Sequence, residues 1–89
     1  MRQAVHTGQF KRDYKKRSRE RGIDDLLVSV IERLVAGEPL DTRFHDHALK
    51  GGYAGCRECH LKPDLLLIYV QTNEELRLIR LGSHSELFD

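Results

Sequence analysis

The side chains best suited to chemistry in this chain are His47, His60, Asp64, Arg80 and His84. His47 lies in a loop with His45 and Asp46, His60 ends a strand-like run, and Asp64 opens the next one. Arg80 closes the last run and His84 follows it. In an antiparallel meander the end of one strand lies beside the start of its neighbour, so His60 and Asp64 approach across their turn. Arg80 and His84 come toward the same edge, and His47 reaches it from the preceding loop. An imidazole, with an ordinary pKa of about 6.5, moves protons in either direction near neutrality. A guanidinium is the preferred partner of a phosphate. Imidazoles with one guanidinium, and no cluster of carboxylates to hold Mg²⁺, describe metal-free phosphodiester cleavage. RNA is the natural substrate, because its 2′-OH is a nucleophile that a histidine base can activate.

Cys56-Arg57-Glu58-Cys59-His60 matches the bare pattern of c-type haem attachment. The context argues otherwise. That chemistry belongs to an oxidising compartment, and the single methionine, Met1, offers no axial ligand. The motif also falls in an expected strand, where residues three apart point to opposite faces, so the two sulfurs diverge. Divergent thiols suit neither a zinc knuckle nor a thioredoxin-like pair. Free thiols are expected, with no metal and no cofactor.

The elements that must position these residues follow from periodicity. Residues 2–6 read as a short strand. Gly8 to about Arg21 reads as a polar helix with Phe10 and Tyr14 as its apolar anchors. Ile23, Leu26, Leu27, Val30, Ile31, Leu34 and Val35 form the core stripe of an amphipathic helix. Gly37 and Pro39 end it. The two helices form a hairpin that turns at Arg21-Gly22. After a long connection over 38–52 come three strand-like runs, about 53–61, 65–72 and 76–81, separated by turn signals. Leu65–Val70 is apolar on both faces, which marks a central strand. The tail suggests one helical turn, with Ser83 as its cap and Glu86 at the capping-box position. The sum, β-α-α-β-β-β, is a single α+β domain over 1–89: a small antiparallel sheet with a two-helix hairpin on one face. The other face is left for a ligand.

Size and charge narrow the classes. At 89 residues and 10.3 kDa the chain holds one small core. No apolar run approaches the roughly 20 residues of a membrane span, and MRQAVHTGQFKRDYKK lacks the apolar centre of a signal peptide. A cytoplasmic protein without a membrane partner is expected. The formal net charge of +1 hides an asymmetry: residues 1–22 carry eight Lys/Arg against two acidic residues (+6), and residues 23–89 carry seven against twelve (−5). A basic segment of this kind suits a polyanionic partner.

FHDHALKGGYAGCRECHLKPDLLLIYVQ followed by LRLIRLGSHSELF resembles the YafQ branch of the RelE/ParE superfamily of toxin–antitoxin toxins. The shared pattern is Asp46-His47-Ala48-Leu49-Lys50-Gly51, then Arg57-Glu58-Cys59-His60-Leu61-Lys62-Pro63-Asp64, then Arg80-Leu81-Gly82-Ser83-His84 ending in Leu87-Phe88. Gly8–Asp13 and Glu38-Pro39-Leu40 also fit, so the likeness covers essentially the whole chain. Leu65 departs from it, because an aromatic residue often follows the Pro-Asp pair in that family.

The resemblance implies a RelE-like microbial RNase fold, ribosome-dependent mRNA cleavage in the A site, and a cognate antitoxin. It places the functional side chains at His47, His60, Asp64, Arg80, His84 and Phe88. On this reading His84 is the general acid for the 5′-oxygen, and His60, assisted by Asp64, is the base toward the 2′-OH. His47 and Arg80 stabilise phosphoryl charge, and Phe88 stacks on a base or plugs the core. Lys11, Arg12, Lys15, Lys16, Lys50 and Arg57 are the cations expected to meet RNA of the message or the ribosome. His6 and His45 read as surface residues, and Tyr69 as core. Two readings compete: a non-catalytic, ParE-like toxin or protein-binding module, and a redox or metal protein built on Cys56 and Cys59. The retained His47, His60, Asp64, Arg80 and His84 speak against the first.

Overall fold

The structure, a computed structural model, describes residues 1–88. Strand β1 (Gln3–His6) leads into helix α1 (Gly8–Arg17), capped by the Thr7 hydroxyl, which accepts from the Phe10 amide. Helix α2 (Ile23–Val35) starts from Gly22, whose φ of 78° is one that glycine adopts freely. A 3-10 turn (Thr42–Phe44) precedes the two-residue strand β2 (His47–Ala48). Then come β3 (Arg57–Lys62), β4 (Leu65–Gln71), β5 (Glu75–Gly82) and a terminal turn of helix, α3 (His84–Phe88). Among the described residues no helix is long and apolar enough to cross a membrane.

The five strands form one sheet in the order β1-β5-β4-β3-β2. The α+β class and the two helices packed on one face agree with the sequence reading. The sheet, however, is mixed: β1 runs parallel to β5, pairing Gln3 with Glu75 through His6 with Leu78. The physical reason is that the helical hairpin carries the chain from β1 to the far edge of the sheet, where β2–β5 run as an antiparallel meander whose last strand comes back alongside β1 in the same direction. The basic helix ends at Arg17, four residues short of the expected bound, and β3 starts at Arg57, not Tyr53. The second difference comes from a 3-10 turn at Gly51–Tyr53 and the left-handed φ of 90° at Gly55, neither compatible with a strand.

The main core lies between sheet and helices. Phe10, Ile23, Leu27, Val30 and Leu34 meet Cys59, Leu65, Leu67, Tyr69, Leu76, Leu78 and Leu81 there. Leu65 is buried in this core, so the departure from the family pattern adds packing and does not face the open side. A smaller cluster on the opposite face, Leu66, Ile68 and Leu87 with Tyr53 and Cys56 packed against it, floors the site. Cys56 and Cys59 thus serve different clusters, and both are free. Burial, aided by the charges of Asp46 and Glu58, pushes the Cys59 thiol up to about 12.

Candidate active site

Two β-bulges decide which side chains reach the open face. On β5, Ile68 of β4 faces Arg80 while Tyr69 faces Leu78, so Ile79 is an extra residue. Strict alternation would put Leu76, Leu78 and Arg80 together on the helix side. The bulge reverses the phase after Leu78: Arg80 joins Ile68 on the open face, and Leu81 drops into the core. A second irregularity, between His60 and Lys62, sets Lys62 opposite Leu65 on the helix side, where it meets Glu20, while His60 stays beside Leu66 on the open face. His60, Leu66 and Gly82 lie in one row across β3, β4 and β5. Two strand spacings, about 10 Å, therefore separate the backbones that carry His60 and the approach to His84.

One half of the site is a histidine group over a buried carboxylate. His47 on β2 pairs in register with Glu58 on β3. Its Nε2 stands 2.9 Å from Glu58 Oε2, and its Nδ1 is 2.6 Å from the His45 carbonyl oxygen. His60 Nε2 lies 3.8 Å from the same Glu58 oxygen. The His60 ring sits 6.2 Å from that of His47 and 5.6 Å, edge-on, from that of His45. Glu58 is 3 % exposed, and its Oε1 has no partner. A buried carboxylate beneath two imidazoles fixes how their rings are turned, because each ring nitrogen that faces it must present an N–H.

His45 adopts a left-handed φ of 48°, unusual for a residue other than glycine, and this aims its carbonyl at His47. Asp46 anchors the same loop from below. Its Oδ1 accepts from the buried Tyr69 hydroxyl and, at 3.2 Å, from Arg57 Nε. Burial first, then the Asp46 carboxylate, pushes the Tyr69 hydroxyl well above its ordinary range, so it stays a donor. Arg57, expected among the RNA-facing cations, has Asp46 as its partner here.

The other half gathers at α3. Asp64 Oδ1 accepts from the His84 backbone N–H at 2.9 Å, which ties the β3–β4 turn to the start of that helix. The carboxylate beside the His60 ring is therefore Glu58, while Asp64 positions His84. His84 is exposed, with its ring 4.9 Å from Phe88. Phe88, 39 % exposed, meets Tyr53 edge-on at 5.6 Å; it is not a core plug, since Leu87 fills that place. Tyr53 also accepts from Arg80 Nη1 at 3.4 Å and donates to the Leu87 carbonyl at the same distance. Arg80 is held by Asp13 of α1 through Nε at 2.7 Å.

Glu58, Tyr53 and Asp13 were not singled out in the sequence. Glu58 was accessible to alternation, because it stands two residues before His60 on the same strand face. Tyr53 and Asp13 come from distant segments, and local pattern carries no sign of them.

Glu86 fastens α3. Its carboxylate accepts from the Ser83 amide at 2.7 Å and pairs with Arg17 of α1, and the Ser83 hydroxyl caps Glu86 N–H at 3.3 Å. These contacts, the Ser83 N–H foremost and then Arg17, depress the Glu86 carboxyl from 4.5 to about 2. A depressed acid contributes stability that is present above pH 4.5 and is lost as pH falls toward 2. Glu86→Gln is expected to flatten the acid limb of the unfolding curve in that window and to loosen α3 at neutral pH. Amide exchange at Leu87 across a pH series checks it; an unchanged acid limb counts against this anchor.

Two cavities border the site. One of about 720 Å³ lies beside the histidine group, between Leu26, Arg43, Phe44, His60 and Pro63. A smaller one of about 200 Å³ is lined by Lys16, Arg17 and Arg80, with Asp13 and Glu86. Lys11, Arg12, Lys15 and Lys16 are exposed along α1, and Lys50 is exposed before β3. The α1 cations continue from the Arg80 side of the site, where Lys16 shares a cavity with Arg80, and Lys50 follows β2 at the other edge of the sheet.

The family model described as "Bacterial toxin of type II toxin-antitoxin system, YafQ" matches residues 2–89. The chain is 33 % identical over 84 residues to the mRNA interferase toxin YafQ of Escherichia coli K12, covering 93 % of this chain and 91 % of that protein. A copper-bound mutant toxin from Helicobacter pylori superposes with a TM-score of 0.92 at 46 % identity, over 99 % of this chain and 100 % of that one. The E. coli DinJ–YafQ complex superposes at 0.89 and 32 % identity, with full coverage of both chains. Sequence, fold and the order of the motif residues agree, and the chain belongs to the YafQ family of bacterial type II toxin–antitoxin toxins.

Proposed function

We propose that the protein is an mRNA interferase: a ribosome-dependent endoribonuclease that cuts mRNA in the A site through the 2′-OH, without a metal, and is restrained by a cognate antitoxin. The observation that carries this reading is the open sheet face bearing His47, His60 and Arg80, with His84 on the adjoining α3. It is supported by the YafQ relatives named mRNA interferase toxins and by the complex of one of them with DinJ. Its place of action is the cytoplasm, where translating ribosomes are.

In this mechanism His60, steadied by Glu58, takes the proton from the 2′-OH. The 2′-oxygen attacks phosphorus, and the bond to the 5′-oxygen breaks. His84 delivers a proton to that departing oxygen, leaving a 2′,3′-cyclic phosphate and a 5′-hydroxyl. Arg80 and His47 stabilise charge on the non-bridging oxygens, and Phe88 stacks on a base beside His84. Asp64 holds the His84 backbone in place. Lys11, Arg12, Lys15, Lys16, Lys50 and Arg57 supply the field that attracts the RNA backbone. No step needs a metal, because each charge and proton has a side chain to meet it. Among the described residues no three His, Cys, Asp or Glu side chains are grouped to hold a metal ion.

The site is shallow and has no evident reader for each base, so substrate positioning must come from elsewhere. The expected result is efficient cutting of mRNA on programmed ribosomes, slow cutting of the same RNA alone, and full activity of toxin that has been stripped with EDTA and freed of chelator before it meets the ribosomes. Fast, indiscriminate degradation of naked RNA contradicts ribosome dependence, and a stripped toxin that stays inactive on intact ribosomes in magnesium until copper or another transition metal is returned to it contradicts the metal-free mechanism.

A further inference from the structure

Asp13 is nearly buried, 3 % exposed, although it sits in the most basic segment of the chain. A carboxylate does not stay buried without strong partners. Here it has three. Oδ2 accepts from Arg80 Nε at 2.7 Å and from the Leu81 backbone N–H at 3.0 Å. Oδ1 accepts from Arg80 Nη2 at 3.3 Å and from Gln9 Nε2 at 3.0 Å. Burial opposes its charge, but Arg80, the Leu81 N–H and Gln9 outweigh that and hold its carboxyl below the ordinary 3.8.

The location is set by the topology. Strand β1 covers the edge of β5 only as far as Leu78; the Thr7 amide makes the last backbone bond, to the Leu78 carbonyl, and its hydroxyl reaches on to the Ile79 carbonyl at 3.4 Å. Beyond it the edge of β5 is open just after the bulge. Asp13 takes the place of a strand there, satisfying Leu81 N–H, and in the same grip holds Nε and Nη2 of Arg80. Nη1 is steadied from the other side by the Tyr53 hydroxyl at 3.4 Å. Of the five guanidinium donors, the remaining N–H groups at Nη1 and Nη2 are left for an incoming phosphate. Such a two-sided hold is what a fixed charge needs to act on a transition state without reorganising.

We propose that Asp13 is a positioning residue: a buried carboxylate on α1 that orients Arg80 toward the scissile phosphate. This rests on the role given above to Arg80. The test measures single-turnover cleavage of ribosome-bound mRNA by the parental toxin, Asp13→Asn, Arg80→Ala and the double variant, below each unfolding midpoint. Asp13→Asn is expected to lower kcat by up to about 10²-fold with KM little changed, as a misplaced group does. In the Arg80→Ala background the same change should add nothing, because both act through one guanidinium. A merely structural carboxylate would lower the melting temperature, leave kcat intact, and add its full effect in both backgrounds; that result overturns the proposal. Asp13→Glu, which keeps the charge and shifts the carboxylate by one methylene, covers the case in which the asparagine variant does not fold. Its kcat must also fall, and only where Arg80 is present. If Arg80→Ala itself cuts at the parental rate, the role of Arg80 fails and Asp13 loses its object. If Arg80→Ala is slow and folded Asp13→Asn is not, the Asp13 proposal alone fails.

Discussion

His84→Ala is expected to abolish mRNA cutting and growth arrest while leaving the fold intact. The ring is exposed, and Asp64 grips the residue through its backbone N–H, which alanine keeps. The lost function is delivery of a proton to the 5′-oxygen, and loss of a positioned acid costs about 10²–10⁴ in rate, or roughly 3–5 kcal/mol of barrier. Stability should change by no more than about 0.5 kcal/mol, as for other surface substitutions. His84→Gln, which hydrogen-bonds but transfers no proton, should be almost as inactive. Quenched-flow cleavage on programmed ribosomes and a melting curve separate the two effects. If both variants cut at close to the parental rate, the acid is His47 or His60.

The opposite pattern is expected for Leu67→Ala. Leu67 is fully buried at the centre of β4, in register with Cys59 on one side and Leu81 on the other. Truncating such a side chain removes transfer energy and leaves a cavity, together about 2–5 kcal/mol. Small domains hold only about 5–15 kcal/mol in all, so this is a large share. For a chain of this length the midpoint should drop by about 10 °C or more. Urea unfolding with an unchanged slope would assign the loss to the native state. Cleavage by the folded fraction should persist at low temperature, since Leu67 belongs to the helix-side core and His60 and Arg80 stand on the other face of the sheet. A drop of under about 3 °C would mean that the core refills the cavity.

The two variants separate what the chain's local pattern carries from what its folding adds. Helical spacing from Ile23 to Val35 marked α2 and its buried stripe, and the two-sided apolar run Leu65–Val70 marked the central strand. Ser83 and Glu86 announced the capping box that begins α3. The same short-range information put His47, His60, Arg80 and His84 near strand ends. Periodicity and caps are local properties, so they are legible in a linear string.

Arrangement across the sheet was not legible. The parallel pairing of β1 with β5 depends on where a helical hairpin returns the chain, and the phase of Arg80 depends on one extra residue at Ile79. Alternation read along the strand would have pointed Arg80 into the helices. Glu58 under His47 and His60, Tyr53 beside Arg80, and Asp13 behind it all meet their partners through packing of segments far apart in the chain. The sequence by itself determined the residue types, the elements and the family. Only the tertiary structure decided which carboxylate serves which cation: charges pair by distance in space, and register and bulges, unlike periodicity, are settled only when the strands dock.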